Sequence, residues 1–257
     1  MGVFSGHFPL GLGTSRFPIS GRNDTAGFEQ SVAIVRRALE LGVDYIDVAY
    51  NYSAGMALPI LREALQQAQL QVSITAKIML GQDRTADDAQ RRVEFYLRQL
   101  ELNKVRYFTC WCIWSYRDFE KIISKGGIYD GALHLKESGL IDHICCSLHC
   151  PPEDMVRIIE SGAFEGITVS YSLLNAPRMQ RVLGVAQRQR VGVAVMNPLG
   201  GGLISQNRNY FSFACGKDDN GETVRAALRF VKASPSVDIV LGGVSSVTEL
   251  EDSVRAL

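Results

Sequence analysis

Short apolar runs alternate with segments of helical period along the chain, and this alternation limits the fold more than any other feature. The runs are mostly continuous, which is typical of parallel strands covered on both faces. A strand and a helix repeated eight times over about 250 residues predict an α/β fold, a single-domain (β/α)8 TIM barrel over residues 1–257. The runs are PLGLGTS (9–15), DYIDVAY (44–50), VSITAKIM (72–79), RYFTCWCI (106–113), HICCSLH (143–149), GITVSYSLL (166–174), VGVAVMN (191–197) and DIVLGGV (238–244).

Three of the intervening segments have clear helical signals. EQSVAIVRRALELG (29–42) is amphipathic and ends on Gly42, and PPEDMVRIIESG (151–162) opens with prolines and acids and ends on Gly162. DDAQRRVEFYLRQLEL (87–102) has a similar apolar stripe. A doubly wound sheet is the alternative fold. Against it, the turn GLGTSRFP contains no G-x-G-x-x-G that opens a helix.

Charge and cysteine content exclude several classes of function. Lys plus Arg and Asp plus Glu both number 27, so no net field recruits nucleic acid or an anionic membrane. No run is long enough to span a membrane and no signal peptide is visible, so we expect a cytoplasmic protein. The six cysteines form no CxxC motif, and we expect reduced, buried thiols and no metal site. Strand alternation predicts that Cys110 and Cys112 point away from the face of Trp111.

In such barrels the active site lies at the C-terminal ends of the strands. A tyrosine titrates near pH 10, and an adjacent ammonium favours its phenolate. A Tyr–Lys–Asp set on one rim can therefore pass a proton near neutral pH. The rule selects Asp47, Tyr50, Tyr52, Lys77, Trp111, Ser147, His149, Met196, Asn197 and the pair Gly242–Gly243.

At these positions the sequence resembles the aldo-keto reductase family over nearly its whole length. The D-x-A-x-x-Y element in DVAYNY and the downstream T-x-K in ITAK are the most specific matches. KGGIYDGALHLKESG and MNPLGGG are most similar to a bacterial branch that often carries a C-terminal iron–sulfur segment, whose cysteines are absent here. Further matching segments are LGLGTSRF, ALELGVDYIDVAYNYSAG, LKESGLIDHICCSLH, SYSLLN, VMNPLGGGLI and LGGVSSVTELEDSV.

The resemblance implies a nicotinamide cofactor, usually NADPH with NADH also open, in an extended pose across the barrel mouth. Tyr52 would protonate a carbonyl oxygen, Lys77 would lower the pKa of Tyr52, and Asp47 would pair with Lys77. The implied cofactor-binding residues are Gly13, Thr14, Ser147, Met196, Asn197, Leu199, Gly201, Gly243, Ser245 and Ser246, and the implied substrate pocket contains Trp111, Tyr50, Trp114 and His149.

The sequence departs from the family pattern at several of these positions. Trp111 falls where the fourth strand normally ends in a catalytic histidine, and an indole can donate one hydrogen bond but cannot carry a proton. Loss of a positioned donor typically costs about 10²–10³ in rate. Thr168 and Met196 replace the usual glutamine and tyrosine at the nicotinamide. GGVSSVTELEDS has no Arg or Lys that could bind the 2′-phosphate of NADPH. The end of the chain is also short compared with the family pattern, so we expect a more open site or one closed by a partner chain.

These observations predict a reductase that acts on a carbonyl, an imine or an activated double bond of a small molecule, and a diverged enzyme of this kind would suit specialised biosynthesis. The alternative is a weakly active barrel that binds the cofactor as a regulatory or partner protein. A lyase or isomerase that uses Tyr52 and Lys77 without net redox is a third reading. We expect no nucleic-acid or membrane partner, and a homo-oligomer stays open.

Overall fold

The computed structural model describes residues 2–66, 72–215 and 221–257, without side-chain surroundings for residues 213–215. Within these ranges eight parallel strands close into a barrel in chain order, with the last strand paired to the first. This confirms the predicted (β/α)8 barrel and excludes the doubly wound sheet. The strands are β1 (Leu10–Gly13), β2 (Tyr45–Asp47), β3 (Ser73–Met79), β4 (Val105–Ile113), β5 (Ile141–Leu148), β6 (Gly166–Ser170), β7 (Gly192–Met196) and β8 (Ile239–Gly243).

Helices surround the barrel, and all three helices predicted from sequence are present. The first and the seventh end before Gly42 and Gly162, whose φ values of +89° and +73° place them in the left-handed region that favours glycine. Within the described residues the helices are α1 (Thr25–Glu40), α2 (Tyr52–Gly55), α3 (Ala57–Leu65), α4 (Ala86–Leu100), α5 (Tyr116–Ile122), α6 (Ile128–Glu137), α7 (Pro152–Glu160), α8 (Ala176–Arg188), α9 (Leu203–Gln206), α10 (Arg208–Cys215), α11 (Glu222–Lys232) and α12 (Val247–Ala256).

A capping box fixes the loop between β3 and α4. The Thr85 hydroxyl accepts from the Asp88 N–H at 3.2 Å, and the Asp88 carboxylate accepts from the Thr85 N–H at 2.9 Å. The same carboxylate accepts from the Arg84 N–H at 2.8 Å. These bonds satisfy donors that the start of the helix would otherwise leave unpaired. The loop that borders the barrel mouth at this side therefore has a defined backbone.

The N-terminal segment closes the base of the barrel. Phe4 packs edge-on to Tyr45 with ring centroids 5.5 Å apart and contacts Tyr107 at 5.0 Å. The first residues of β6 and β7 are glycines, and a Cβ at either would lie within 3 Å of the Phe4 ring. His7 shares hydrogen bonds with Asp44 at 2.7 Å and with the Tyr107 hydroxyl at 2.8 Å. The base is thus an apolar plug whose polar groups find partners.

Three predicted strands end two or more residues earlier than the sequence suggested. β1 stops at Gly13, where a 3₁₀ turn over residues 14–16 begins, and β2 stops at Asp47. β6 stops at Ser170, because the Asn175 side chain donates to its carbonyl and draws the chain into a turn. These early ends place the following polar residues in loops at the mouth of the barrel.

The cysteine predictions need one correction. Cys110, Cys145, Cys146 and Cys150 are buried free thiols, as expected. Cys112 is only half-buried, because the pairing of β4 with β5 shifts register between Cys110 and Ile113 and interrupts the regular alternation of faces. The surroundings of Cys215 lie outside the described side chains. No helix in the described part of the chain is long and apolar enough to cross a membrane.

Candidate active site

Three polar side chains from β2, β3 and the loop after β2 meet at the mouth of the barrel. The Lys77 ammonium donates to an Asp47 carboxylate oxygen at 2.7 Å and to the Tyr52 hydroxyl at 2.9 Å. The side chains of Lys77 and Asp47 are only 4% and 7% exposed. A lysine at this depth requires an opposite charge, because an unpaired buried ammonium is very costly. The sequence prediction that these three residues converge is matched by this geometry.

Unusual backbone geometry holds Tyr52 in place. The two residues that follow it, Ser53 and Ala54, have φ values of 51° and 55°, which non-glycine residues seldom adopt. The Ser53 hydroxyl donates to the Thr14 carbonyl at 2.6 Å and ties this segment to the turn after β1. Such conformations persist where the surrounding contacts enforce them, and they are common at active sites.

Thr14, which was predicted to bind the cofactor, has a side chain that is engaged within the protein. It is fully buried, and its hydroxyl donates to the Asp47 carbonyl at 3.0 Å. Because β1 ends at Gly13, Thr14 begins a turn whose side chain points toward β2 instead of the mouth. Its hydrogen bond therefore helps to fix the position of Asp47, and with it the group formed by Asp47, Lys77 and Tyr52.

The charges in this group set the pKa of Tyr52 differently from the sequence expectation. Burial, followed by the negative charge of Asp47, raises the pKa of Tyr52, and these effects outweigh the lowering by Lys77. Burial would lower the pKa of Lys77, but Asp47 and Tyr52 together raise it. Lys77 therefore stays protonated and Tyr52 is a neutral phenol at neutral pH. A neutral phenol is the form that can donate a proton.

Trp111 lies directly beside this group. Its indole meets the Tyr52 ring edge-on, with centroids 5.6 Å apart, and the Lys77 ammonium lies 5.6 Å from the indole centroid. This position agrees with the prediction that Trp111 lies near the mouth end of the fourth strand.

Cys112 belongs to the same neighbourhood, contrary to the prediction that it faces away. It lines a cavity of about 820 Å³ together with Trp111, and Lys77 acts on it electrostatically. Burial raises the pKa of the Cys112 thiol to about 12 despite that charge. The thiol is therefore protonated at neutral pH and offers a polarizable wall instead of a thiolate.

Ser147 and His149 form a hydrogen-bonded pair at the end of β5. The Ser147 hydroxyl lies 2.9 Å from His149 Nε2, and the Trp114 indole packs on the imidazole with ring centroids 4.7 Å apart. Burial, assisted by the charge of Lys77, lowers the pKa of His149 to about 4. The imidazole is neutral at physiological pH, so it can fix the orientation of the Ser147 hydroxyl without adding charge.

Tyr50 does not line the cavity that contains Trp111 and Trp114, although the resemblance grouped it with them. Its hydroxyl donates to Gln82 at 2.5 Å, and the Arg92 guanidinium lies 4.1 Å from its ring centroid. It lines a separate cavity of about 740 Å³ that also includes Met56 and Phe95. Because β2 ends at Asp47, Tyr50 lies in the loop and turns outward toward α4.

The turn after β7 has a backbone suited to close approach by an anion. Asn197 has φ 53°, and the three glycines at 200–202 all have positive φ values. A Cβ at Gly201 would meet nothing within 4 Å, so its surroundings are open. Met196 is half-buried and packs against the inner barrel, and Leu199 is half-buried beside the turn. Glycine-rich turns in such conformations form anion-binding concavities.

The turn after β8 is already engaged by a carboxylate that sequence reasoning missed. Glu249 accepts from both the N–H and the hydroxyl of Ser245, at 2.8 and 2.9 Å. Ser246 caps α12 by accepting from the Glu249 N–H at 3.2 Å. Arg16 crosses this strand end, and a Cβ at Gly243 would lie 2.9 Å from its Cγ. The Ser–x–x–x–Glu spacing of Ser245 and Glu249 is the only sequence signal for this contact.

Two glycines lie at the mouth where β1 pairs with β8. Gly13 and Gly243 have no side chain, so neither residue covers the rim of the barrel at this point. A Cβ at Gly13 would lie only 3.3 Å from the Gly242 carbonyl. Loops after the seventh and eighth strands and the start of a following helix are where barrels of this type bind phosphates. The pair Ser147–His149 lies at the end of β5, and Asp47, Lys77 and Tyr52 come from β2, β3 and the start of α2.

Comparisons with known proteins agree with this geometry. The family model described as the Aldo/keto reductase family matches residues 9–257. A Schizosaccharomyces pombe protein named as an uncharacterized oxidoreductase is 23% identical over 232 residues, which are 89% of this chain and 74% of that protein.

Solved structures share the fold. An aldo-keto reductase from Klebsiella pneumoniae in complex with NADPH has a TM-score of 0.75 and 19% identity, covering 96% of this chain and 84% of that one. A putative aldo-keto reductase from Pseudomonas aeruginosa has a TM-score of 0.73 and 23% identity, covering 100% and 93%. The holo form of the reductase AKR11C1 from Bacillus halodurans has a TM-score of 0.77 and 18% identity, covering 96% and 86%. With a family model that spans all but the first eight residues, this chain belongs to the aldo/keto reductase family of oxidoreductases.

Proposed function

We propose that this protein is an NAD(P)H-dependent oxidoreductase that reduces a carbonyl, an imine or an activated double bond of a small molecule. The observation that carries the proposal is the Lys77 ammonium, which bridges Asp47 and Tyr52 inside the barrel mouth. A buried ion pair of this kind contributes little stability by itself. Its arrangement around one phenol is explained by proton transfer.

In the proposed mechanism the bound cofactor supplies hydride to the electrophilic carbon of the substrate. Tyr52 donates its proton to the heteroatom of a C=O or C=N bond, or to the carbon next to the activating group of a C=C bond. As the phenol loses its proton, the Lys77 ammonium stabilises the negative charge on its oxygen. Asp47 keeps Lys77 charged, which the raised pKa of Lys77 supports.

Trp111 shifts the preferred substrate toward groups that need little oxyanion stabilisation. An indole offers one N–H donor and no proton. An imine that is protonated before hydride arrives becomes neutral in the transition, whereas a carbonyl develops negative charge on oxygen. The packing of Trp111 against Tyr52 therefore supports an imine beside the carbonyl and activated-alkene alternatives.

Ser147 and the two glycine-containing turns are the proposed contacts of the cofactor. His149 would orient the Ser147 hydroxyl toward the nicotinamide carboxamide, and Met196 would lie beneath the ring. The related structures with NADPH favour NADPH as the cofactor. Glu249 favours NADH, because its carboxylate occupies the Ser245 donors and would repel a 2′-phosphate but could accept from a ribose hydroxyl.

Equilibrium binding and turnover test the proposal together. NADPH and NADH are titrated by quenching of tryptophan fluorescence, and oxidation of each is then followed with aldehydes, cyclic imines and enones. We expect micromolar binding of at least one cofactor and turnover of at least one substrate class. Binding without any turnover would instead support the regulatory barrel, and no binding up to millimolar concentration would contradict the proposal.

Cytoplasmic location and a role in specialised biosynthesis stay predictions from the sequence. A homo-oligomer stays open.

A further inference from the structure

The cavity of about 820 Å³ beside the catalytic group has a composition that narrows the substrate class. It lies between the loop after β3 and the start of α5, and Trp111 and Cys112 form its inner wall. Trp111 also packs edge-on against Tyr52, so this cavity shares a wall residue with the group that contains the proposed proton donor. Cavities of this size hold drug-sized ligands, which are far larger than a simple aldehyde.

The walls of this cavity are mainly aromatic and aliphatic. Trp114 lines it and is 63% exposed, the second most exposed of the large apolar side chains in the described part of the chain. Met79, Leu80 and Ile122 add apolar surface. An exposed indole inside a concave apolar site indicates a ligand that covers it. Two indoles at one cavity favour a flat ring system, which can stack on or meet them edge-on.

The charged residues of the cavity leave one cation without a partner. Asp83 accepts three hydrogen bonds from Arg92, at 3.0 to 3.2 Å, and Asp118 is held by Lys121 and Ser115. The Arg84 guanidinium has no hydrogen bond or ion pair to any of the described residues. The Arg84 N–H donates to Asp88, which fixes the backbone of Arg84. The unpaired guanidinium therefore extends from a defined point at the rim of the cavity.

We propose that the substrate is a flat aromatic or fused-ring carbonyl or imine compound that carries a carboxylate on the side remote from its reducible group. The ring system would lie between Trp111 and Trp114 with its reducible group toward Tyr52. The carboxylate would pair with Arg84, whose planar fork binds carboxylates in a bidentate manner. This inference rests on the proposed function and specifies the substrate of the same site.

Matched substrates test the inference through turnover. The initial rates with 6-carboxy-2-naphthaldehyde, 2-naphthaldehyde and propanal are compared at saturating cofactor. We expect kcat/KM to fall in that order, by at least tenfold at each step. Equal values for the carboxylated and the neutral naphthaldehyde, or a preference for propanal, would overturn the inference.

Arg84→Gln isolates the ionic contact. It should lower kcat/KM about 10- to 100-fold for the carboxylated aldehyde, because a charge-assisted pair is lost, and leave 2-naphthaldehyde unchanged. Arg117→Gln is the matched control, because Arg117 is an exposed arginine on α5 that lies outside the cavity wall. An equal loss in both variants, or no loss in Arg84→Gln, would contradict the proposal.

Calorimetry with 2-naphthoate supplies a readout that does not need turnover. The wild-type protein should bind this unreactive carboxylate, with the Kd weakened at least tenfold by Arg84→Gln and by Trp114→Ala but unchanged by Arg117→Gln. Binding that ignores both cavity variants would overturn the inference. If naphthoate binds as expected but no cofactor binds, the proposed reductase function fails while the ligand class stands.

Discussion

The base and the mouth of this barrel are built from the same strands but differ in the kind of side chain that they bury. At the base, the rings of Phe4, Tyr45 and Tyr107 fill the barrel and His7 pairs with both of its polar neighbours. At the mouth, a buried ion pair leaves Asp47 Oδ2 without a hydrogen-bond partner among the described residues. At the base, aromatic rings are buried and polar groups are paired, whereas at the mouth two charged side chains are buried away from water.

The difference shows where this chain sacrifices stability for chemistry. Burial of aromatic area stabilises the folded state directly. A buried ion pair often contributes no more than well-packed apolar residues of similar size. Left-handed Ser53 and Ala54 beside Tyr52 add to the cost at the mouth. Mutations at the two ends should therefore separate stability from activity.

Lys77→Met should produce the largest effect. It leaves the Asp47 carboxylate buried without its partner, which we expect to lower the free energy of unfolding by about 3–5 kcal/mol and to abolish turnover. The double variant Lys77→Met with Asp47→Leu should recover most of that stability but none of the activity. Chemical denaturation and an NAD(P)H oxidation assay measure the two properties. A double variant as unstable as the single one would contradict the comparison.

Phe4→Ala tests the base with the opposite signature. Removal of this ring leaves a cavity between β6 and β7, and we expect the free energy of unfolding to fall by about 3–5 kcal/mol. Cofactor Kd and kcat should be unchanged below the unfolding temperature, because the plug lies at the other end of the barrel. Leu133→Ala, on an exposed position of α6, is the control with little expected loss. A changed kcat in Phe4→Ala would show that the two ends are coupled.

The pH dependence of reduction should reflect the raised pKa of Tyr52. Because burial and Asp47 raise this pKa, the active phenol persists, and kcat/KM should stay flat from neutral pH to about pH 10 before it falls. His149, with a pKa of about 4, should contribute no limb in this range. Asp47→Asn removes a charge that raises the pKa, so the alkaline limb should move to lower pH. An alkaline limb near pH 7 in the wild-type protein would be inconsistent with this environment.

Glu249→Gln should give the smallest effect. With the carboxylate charge removed from Ser245, the ratio of the NADPH and NADH dissociation constants should shift toward NADPH by about tenfold. Glu251→Gln is the control on the same helix, since its carboxylate pairs with Arg37. An unchanged ratio would place the 2′-phosphate away from this turn.

The sequence predicted most of the fold because periodicity reports which face of an element is buried. The same logic found Asp47 and Lys77, since few arrangements explain a lysine on an apolar strand. It failed at Cys112, because a register shift between β4 and β5 cannot be read from residue types. It could not place the ring of Tyr50, because β2 is only three residues long and its early end decides where that ring points.

The sequence also could not predict pKa shifts or individual side-chain contacts. The pKa of Tyr52 depends on a balance between burial, Asp47 and Lys77, and a motif names these residues without weighing them. Glu249 is unremarkable in sequence, yet its carboxylate folds back onto Ser245. Likewise, Arg84 stands out only after the partners of Asp83 and Asp118 are known.

Tyr52→Phe tests the central claim most directly, with kcat and cofactor Kd measured side by side at neutral pH. The substitution removes only the hydroxyl that Lys77 contacts at 2.9 Å. The account predicts that kcat falls about 10²–10⁴-fold while the cofactor Kd and the unfolding temperature stay within error. Turnover equal to that of the wild-type protein would contradict the assignment of Tyr52 as the proton donor.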